Sequence, residues 1–470
     1  MKTEFFDRTL EMDLLKKKYA ELASGRLLVI YGRRRVGKTE LVKEFLNRLP
    51  PKDKFYFYVN LGSKQEVLNT LSLALQEQLK ENIKFTSFDQ FLEYIEQKSK
   101  LTKFLLVIDE FQRFLSIAPE FITKLQHFWD SKLKNQPIMI LLVGSSIGMM
   151  QRITESRAGA LYGRVLKMKI SPFRYVDFRL MFKNLSEKEK IERFSVFGGT
   201  PYYLEKTKNI SSTLEAINEL VIKKGAELSE EPKNLMEYEN VRAHAKYNSI
   251  LSSLSAGKEI LKEIQDFTKI PLTTLPTYLQ KLDELLDLVG KRDPLLGKER
   301  LGRYCIKDNF FRFWYKFIYP HQTALNLGNE KYVLQIIENE LNSYIGHIFE
   351  DIIKELLILY LNQKIKGVEI NFTDIGGWWD RNSHEIDVVA YNQKERKILL
   401  GEVKWTNQPM DIDIFEQLLE KAKFLNFSGE YQYLLVCKNG FTPRCLAKIQ
   451  EFKVLHLDLE EIAQLFDKLS

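Results

Sequence analysis

The chain has 470 residues and a net charge of +7, with 44% of its residues hydrophobic and 28% charged. This composition is typical of a globular protein of about three domains, and it excludes a disordered or fibrous chain. Three cysteines without a C-x-x-C pair argue against a disulfide framework or a zinc site. Charges interrupt the opening stretch MKTEFFDRTLEMD, which argues against a signal peptide. Apolar runs such as 138–143 are far shorter than the ~20 residues of a membrane span. We therefore expect a cytoplasmic protein without a membrane partner.

Short apolar strands alternate with helical segments in the first part of the chain. Such strands are predicted at residues 27–31, 55–60, 104–109, 138–144 and 165–170. Because strands that alternate with helices form parallel sheets covered on both faces, the expected fold class is α/β.

The first strand, LLVIY, runs directly into GRRRVGKT, which fits the pattern G-x-x-x-x-G-K-[ST]. The glycines of this pattern let backbone N–H groups surround phosphate oxygens, and the helix that follows points its positive end at them. Lys38 reaches the β and γ oxygens, and Thr39 ligates Mg²⁺. The sequence therefore predicts a site for ATP and Mg²⁺ formed by Gly32, Arg33, Arg34, Arg35, Val36, Gly37, Lys38 and Thr39.

Polar residues end the third and fourth strands, where they would face this loop. Asp109 ends the strand FLLVID and is expected to hold Mg²⁺ directly or through water, and Glu110 is expected to be the base that polarises the attacking water. Ser145 and Ser146 follow the strand IMILLVG. Serine at this position is expected either to sense the γ-phosphate or to cap the next helix.

Two arginines, Arg157 and Arg164, precede the fifth strand. Either could be a finger that stabilises transition-state charge on the ATP of a neighbouring subunit, which would require a homo-oligomer. The alternative for each is an ordinary surface arginine. Arg164 is the candidate that we assign to catalysis.

Taken together, GRRRVGKT, LLVIDEF, LLVGSS, LYGR and FGGTPYYLE resemble the archaeal-type ATPase family of the STAND clade of AAA+ proteins. The opening FFDRTLEMDLL is similar to the family's N-terminal segment, which lies by the adenine. Gly199-Thr200-Pro201 matches the clade's G-x-P signature, which implies that Pro201 lies near the nucleotide. The resemblance implies an AAA+ P-loop ATPase core over 1–205 and a helical lid over 206–245.

Residues 246–308 are predicted to form a winged helix, with three short helices followed by a hairpin. We call residues 289–307 of this hairpin the wing. The wing has six basic and two acidic residues, which is a modest phosphate-binding stripe. The domain as a whole is almost neutral, so a winged helix that links and locks the ATPase is an equal alternative to one that binds DNA.

The C-terminal part contains EIDVVAYNQKERKILLGEVKW (385–405), two apolar strands joined by a polar turn. Asp387 lies near the start of the first strand, and Glu402 and Lys404 lie near the end of the second. Residues at i and i+2 of a strand share one face, so Glu402 and Lys404 point the same way. Two carboxylates and a backbone carbonyl form a hard-oxygen Mg²⁺ site, and a nearby lysine can orient or deprotonate a water or neutralise developing phosphate charge.

This arrangement, D-x14-E-x-K, resembles the PD-(D/E)xK nuclease core, whose order is helix, three strands, helix, strand. The expected elements are at 331–365, 368–373, 385–391, 397–404, 410–425 and 431–437. Glu350 matches the family's additional acidic residue, and Gln417 a position that often supports the site. Ile386 replaces the proline of the family name.

GWWD and FRFWYKFIYP are similar to the nuclease-like domain attached to archaeal-type ATPases. The resemblance implies a restriction-endonuclease-like α/β domain, with N-terminal connecting helices, over 309–470.

These observations predict an ATP-regulated, Mg²⁺-dependent DNA endonuclease with the catalytic residues Glu110, Asp387, Glu402, Lys404, Glu350 and Arg164. The alternative, of a different class, is a regulatory ATPase whose C-terminal domain binds DNA or a protein without cutting it. The retained set of Asp387, Glu402 and Lys404 favours the enzyme, and the nearly neutral middle domain favours the regulator.

Overall fold

The computed structural model describes residues 6, 8–155, 159–238, 244–297 and 301–469. They form two compact units, the first within Met1–Pro172 and Gln280–Asp287, the second within Phe173–Leu279 and Leu288–Ser470. None of the helices in these ranges combines the length and the apolar character that a membrane crossing requires.

The first unit is built around a five-stranded sheet in the order β2-β3-β4-β1-β5, with parallel pairing throughout. Its strands are β1 (Arg26–Tyr31), β2 (Lys54–Tyr58), β3 (Phe104–Asp109), β4 (Ile138–Gly144) and β5 (Leu166–Lys169). Its helices are α1 (Thr9–Ala20), α2 (Lys38–Asn47), α3 (Lys64–Leu79), α4 (Phe88–Leu101), α5 (Phe114–Ile117), α6 (Pro119–Ser131) and α7 (Ile147–Thr154). This confirms the α/β class with a parallel sheet.

Alternate residues of the central strands enter two separate cores, one on each face of this sheet. In β3, Leu106 packs into one core and Val107 into the other. Successive side chains of a strand point to opposite faces, so a strand with both faces covered by helices is apolar at every position. The strands β3 and β4 are buried along their whole length for this reason.

The second unit begins with helices and ends with a mixed sheet. The helices before that sheet are α8 (Tyr175–Met181), α9 (Glu187–Phe197), α10 (Pro201–Thr207), α11 (Thr213–Ile217), α12 (Glu231–Tyr238), α13 (His244–Ser255), α14 (Leu261–Thr268), α15 (Leu275–Glu284, whose last residues belong to the first unit), α16 (Asn309–Phe313), α17 (Gln322–Asn326) and α18 (Glu330–Leu359). A hairpin of β6 (Val289–Arg292) and β7 (Arg303–Ile306) follows α15, so this segment has the element order expected for a winged helix.

The last part of the second unit contains a five-stranded sheet in the order β10-β11-β12-β13-β14. Its elements follow a small hairpin of β8 (Gln363–Ile365) and β9 (Val368–Ile370), and they are β10 (Asp374–Trp379), β11 (Glu385–Asn392), β12 (Lys397–Lys404), α19 (Ile412–Ala422), β13 (Glu430–Cys437), α20 (Pro443–Phe452), β14 (Leu455–Leu457) and α21 (Leu459–Asp467). The first three strands are antiparallel, and β13 and β14 pair in parallel with their neighbours.

One expected strand is wrong: residues 368–373 do not supply the first strand of this sheet. Val368–Ile370 pairs instead with Gln363–Ile365, and the sheet begins with Asp374–Trp379. Lys366 and Gly367 both have positive φ, 48° and 84°, which is the geometry of a tight two-residue hairpin turn.

Candidate functional site

The phosphate-binding loop lies between β1 and α2, and two of its glycines are required by the backbone. Gly37 has φ 92°, a left-handed conformation that favours glycine. A Cβ atom on Gly32 would lie 2.2 Å from the carbonyl oxygen of Ile170. From the opening segment, Arg8 donates to the carbonyl oxygens of Val36, at 3.1 Å, and Ser171, at 2.6 Å. Met1 to Phe5 and Asp7 of this segment lie outside the described residues.

The Lys38 ammonium is folded onto the loop in which it lies. It donates to the carbonyl oxygens of Gly32, at 2.8 Å, and Arg33, at 2.6 Å, and Lys38 is only 6% exposed. Lys38 is also the first residue of α2, so it lies at the positive N-terminal end of this helix. A cation and a helix N-terminus at the same point suit a phosphate group.

Asp109 accepts hydrogen bonds from two hydroxyl groups. Its Oδ2 atom lies 2.9 Å from Thr39 Oγ1 and 2.9 Å from the Tyr56 hydroxyl, and its Oδ1 atom accepts the backbone N–H of Glu110. Burial raises the pKa of Asp109, and the hydrogen bonds from Tyr56 and Thr39 oppose that rise. Hydroxyl and carboxylate oxygens are the ligands that Mg²⁺ takes, so Thr39 and Asp109 suit the role predicted for them. Tyr56 was not predicted; its position on β2, the strand beside β3, was the available signal.

Glu110 is held by neighbours on the same edge of the sheet. Its Oε2 atom accepts from Gln112 Nε2 at 2.6 Å and from Ser145 Oγ at 3.0 Å, and Arg113 Nε lies 3.7 Å away. Ser146 occupies the N-cap position of α7 without a side-chain cap hydrogen bond, and Ser145 is the serine that contacts Glu110. Gln112 was not predicted, although it lies two residues after Glu110 in the sequence.

Arg164 forms a two-pronged ion pair within its own chain. Its Nε and one terminal nitrogen contact the carboxylate of Asp130, with distances of 2.8–3.1 Å. The other candidate finger, Arg157, lies outside the described residues. Pro201, from the G-x-P signature, is the first residue of α10 in the second unit.

In the C-terminal sheet, Asp387, Glu402 and Lys404 come together as predicted from their spacing. Lys404 Nζ lies 2.9 Å from Asp387 Oδ2 and 2.7 Å from Glu402 Oε2. The backbone N–H of Val403 also donates to Asp387 Oδ2, at 2.8 Å. β11 and β12 are adjacent antiparallel strands, which is why residues from opposite ends of the hairpin sequence meet.

Burial shifts the pKa values of the titratable groups in and around this cluster. Burial and the negative charge of Asp387 raise the pKa of Glu402, whose side chain is 2% exposed. Burial and Asp387 likewise raise the pKa of Glu350, on α18, which contacts His347 at 3.2 Å. Burial would lower the pKa of Lys404, but the charges of Asp387 and Glu402 outweigh it and raise that pKa. Burial and the charge of Asp387 thus disfavour the charged form of Glu402, and the ammonium groups of Lys404 and Lys421 favour it.

A fourth charged group, Lys421 on α19, was not predicted. Its Nζ atom lies 2.6 Å from Glu402 Oε1. Lys421 and Gln417 line the same surface cleft of about 650 Å³, together with His384 and Phe424, whose rings stack 4.2 Å apart. Gln417 and Lys421 are four residues apart and so share one face of α19. That spacing was the signal that could have found Lys421.

The cluster offers two carboxylates to a divalent cation. Among the residues that the structure describes, no group of three or more His, Cys, Asp or Glu side chains is arranged to hold a metal ion. The two carboxylates of Asp387 and Glu402 are nevertheless hard-oxygen donors, joined here by the Lys404 ammonium. Magnesium commonly takes one or two carboxylates and retains water as its other ligands, so this pair fits Mg²⁺.

Two arginines of the wing pair with carboxylates of the C-terminal domain, one on α18 and one on β11. Arg292 pairs with Asp351 of α18 at 2.6 Å, and Arg303 pairs with both oxygens of Glu385, at 3.1 and 3.0 Å. The Arg303 guanidinium also lies 4.6 Å from the centre of the Trp379 ring. Two of the cations predicted to contact phosphate therefore contact carboxylates of the same chain. Lys298, Glu299 and Arg300 of the wing lie outside the described residues.

The tip of the wing covers the edge strand β10. Trp379 Nε1 donates to the Leu301 carbonyl oxygen at 2.7 Å, and the Leu295 N–H donates to the Gly377 carbonyl oxygen at 2.9 Å. A Cβ atom on Gly376 would lie 3.0 Å from the Leu295 side chain, so this glycine permits a close approach. Edge strands with free backbone groups are commonly covered in this way.

Two family models match separate parts of the chain. Residues 5–207 match an ATPase domain found predominantly in Archaea, which confirms the expected archaeal-type ATPase domain and supports ATPase function with nucleotide binding. Residues 314–420 match a family of archaeal and bacterial proteins of unknown function. This second match covers much of the expected nuclease-like domain and assigns it no activity.

An uncharacterized protein of Methanocaldococcus jannaschii is 29% identical over 440 residues, which cover 92% of this chain and 95% of the relative. An uncharacterized ATP-binding protein of the same organism is 48% identical over 42 residues, 9% of this chain and 70% of the relative. Among solved structures, the Walker-type ATPase of Pyrococcus abyssi matches with a TM-score of 0.53 and 20% identity, covering 66% of this chain and 96% of that one. This structural match supports the α/β fold of a P-loop ATPase.

Proposed function

We propose that the chain binds and hydrolyses ATP and that its nucleotide state regulates a metal-dependent DNA endonuclease site in the C-terminal domain. In the ATPase site, Lys38 would contact the β and γ phosphates. Thr39 and Asp109 would hold Mg²⁺, and Glu110 would orient and deprotonate the attacking water. The Thr39–Asp109 hydrogen bond supports this assignment, because it joins the two predicted ligands directly.

The nuclease proposal rests on one observation, the convergence of Asp387, Glu402 and Lys404 within hydrogen-bond distance. Phosphodiester hydrolysis requires positive charge on the phosphate oxygens and a positioned water. When bound, Mg²⁺ would supply the charge and acidify a water molecule. Asp387 and Glu402 would hold the ion. Glu350, whose pKa the charge of Asp387 helps to raise, would hold a water or further positive charge nearby.

Lys404 would act as a cation and not as a base. The carboxylates of Asp387 and Glu402 raise its pKa, which favours the protonated form. A protonated lysine beside the scissile phosphate neutralises the charge that develops there. Its three N–H donors could then orient the phosphate oxygens while the two carboxylates hold the ion.

A non-cleaving regulator is the second candidate, and the wing favours it. Arg292 and Arg303 are paired with Asp351 and Glu385, so two of the cations expected to face DNA are directed toward protein carboxylates. Such a protein would use ATP to change its packing and would bind DNA or a protein partner without cutting.

One assay separates the two candidates. Purified full-length protein is incubated with supercoiled plasmid and with single-stranded DNA, in Mg²⁺ or Mn²⁺, with and without ATP. The endonuclease proposal expects metal-dependent cleavage whose rate changes with ATP. Intact plasmid and intact single-stranded DNA under all conditions, together with measurable ATP hydrolysis, would favour the regulator.

A further inference from the structure

Two lysines from different elements contact the buried Glu402 carboxylate. Lys404, on β12, donates to Oε2 at 2.7 Å, and Lys421, on α19, donates to Oε1 at 2.6 Å. Each oxygen of Glu402 therefore has its own ammonium group. Of the two lysines, only Lys404 belongs to the E-x-K pattern.

The two ammonium groups differ in what else they contact. Lys404 also donates to Asp387, so it bridges the two carboxylates that would hold a divalent cation. A cation held by both carboxylates must therefore compete with Lys404. Lys421 contacts the other oxygen of Glu402 and can remain there when Lys404 is displaced.

Lys421 also connects the buried carboxylate to the surface. Its side chain is 24% exposed, whereas that of Glu402 is 2% exposed. Lys421 and Gln417 line the cleft of about 650 Å³ beside α19. An ammonium at this boundary compensates the charge of Glu402 at Oε1, the other oxygen being the one that accepts from Lys404.

We propose that Lys421 is a positioning residue of the C-terminal site, one that fixes Glu402 so that a divalent cation displaces Lys404 from Asp387 and Glu402. This inference rests on the proposed metal-dependent function. Hydrogen-bond partners of metal ligands typically change metal affinity about 10–100-fold when they are removed. The two lysines should therefore have opposite effects on metal binding.

The test is calorimetric titration of the full-length protein with Mn²⁺, without nucleotide and at one fixed pH. Asp387→Ala serves as the blank, so only the heat that it abolishes is assigned to this site. Lys421→Met should weaken Mn²⁺ binding about tenfold, and Lys421→Arg should restore most of the loss. Lys404→Met should leave the affinity unchanged or raise it, because a competitor is gone.

Lys423→Met is the matched control, since Lys423 lies on the surface just beyond α19 and pairs with Glu420. It should bind Mn²⁺ as the wild type does. Thermal unfolding without metal identifies variants that do not fold. If Lys421→Met does not fold, Lys421→Arg is the informative variant, and a smaller loss of Mn²⁺ affinity is expected for it.

The possible results separate the role of Lys421 from the nuclease activity. Unchanged or tighter Mn²⁺ binding in Lys421→Met would show that Lys421 is a competitor or a bystander, and it would overturn the inference even if the wild type cuts DNA. If the Lys421→Met and Lys404→Met substitutions change Mn²⁺ affinity in opposite directions and the protein cuts no nucleic acid, the inference about Lys421 stands and the proposed nuclease activity is wrong. A wild type with no Mn²⁺ heat above the Asp387→Ala blank would overturn both.

Discussion

The Thr39 hydroxyl donates a 2.9 Å hydrogen bond to the Asp109 carboxylate across seventy residues of sequence. The bond joins the phosphate-binding loop to the carboxyl end of β3, on the edge of the sheet where open α/β sheets bind their ligands. Tyr56 donates to the same carboxylate oxygen from β2. The groups expected to hold Mg²⁺ are therefore already in contact.

Lys38→Ala should weaken ATP binding at least about tenfold, since a hydrogen bond to a charged group contributes about 1.5–3 kcal/mol. Titration with a fluorescent ATP analogue measures the loss. Lys43→Ala is the control, because Lys43 pairs with Glu40 on the surface of the same helix. Equal affinity of wild-type protein and folded Lys38→Ala would refute the site assignment.

Glu110→Gln should bind ATP normally and hydrolyse it roughly 100-fold more slowly, the lower end of the effect of a general base. Glutamine keeps the shape of the side chain and can still accept from Ser145 and Gln112, so the network around it should survive. Single-turnover hydrolysis measures the rate. Glu120→Gln, which alters a surface pair with Lys64, is the control. If Glu110→Gln hydrolyses ATP at the wild-type rate, Glu110 is not the base, and another group must be.

The Arg164–Asp130 pair allows a test of the finger in trans. If Arg164 acts on the ATP of a neighbouring subunit, Arg164→Ala should lower the turnover rate, whereas Asp130→Ala, which frees Arg164, should not. Wild-type specific activity should also rise with protein concentration. If Arg164→Ala and Asp130→Ala lose turnover equally, and wild-type turnover does not depend on protein concentration, the Arg164–Asp130 ion pair has a structural role.

Much of the fold follows from local sequence patterns. The strands of the first unit could be predicted because continuous apolar runs such as IMILLVG have few alternatives to a doubly covered strand. The hairpin that carries Asp387 and Glu402 could be predicted for a similar reason, since a polar turn separates two apolar runs. In these segments local preference and long-range packing agree.

Other features depend on packing that no local pattern records. The strand Asp374–Trp379 contains Gly376 and Gly377 and has a register shift between Gly376 and Trp378, so its sequence is not typical of a strand. The contact between Arg303 and Glu385 joins residues 82 positions apart, and a basic wing alone does not indicate whether phosphate or carboxylate will face it. Lys421 was missed because its partner, Glu402, lies on a different element.

The wing contact gives a stability prediction. Arg303→Ala should lower the free energy of unfolding by about 1 kcal/mol, because it removes a partly exposed ion pair and a cation–π contact with Trp379. A double-mutant cycle with Glu385→Ala, measured by urea unfolding, should give a coupling energy of at least about 0.5 kcal/mol. Lys291→Ala, which alters the pair with Asp293 inside the wing, is the control. Zero coupling would mean that the wing is not held by this pair in solution.

The last prediction concerns cleavage and decides between the two candidate functions. Asp387→Ala should abolish DNA cleavage and leave DNA binding intact or stronger, because it removes a carboxylate that repels phosphate. Removal of metal with EDTA should abolish cleavage in the same way. Lys404→Ala should also abolish cleavage while the protein still binds metal, since Asp387 and Glu402 remain. Asp374→Ala, at an exposed position of β10, is the control and should cut normally.

These variants separate chemistry from regulation when they are combined with those of the ATPase site. Lys38→Ala and Glu110→Gln should change how ATP affects cutting and leave the ATP-independent rate unchanged, because they lie in the other unit of the chain. Gel analysis of plasmid and of labelled single strands measures both quantities. Suppose that the wild type cuts, and that Asp387→Ala cuts equally well. A contaminating nuclease would then be the source of the cleavage. The cluster of Asp387, Glu402 and Lys404 would be a binding surface, in which lysine and not a metal ion neutralises the two carboxylates.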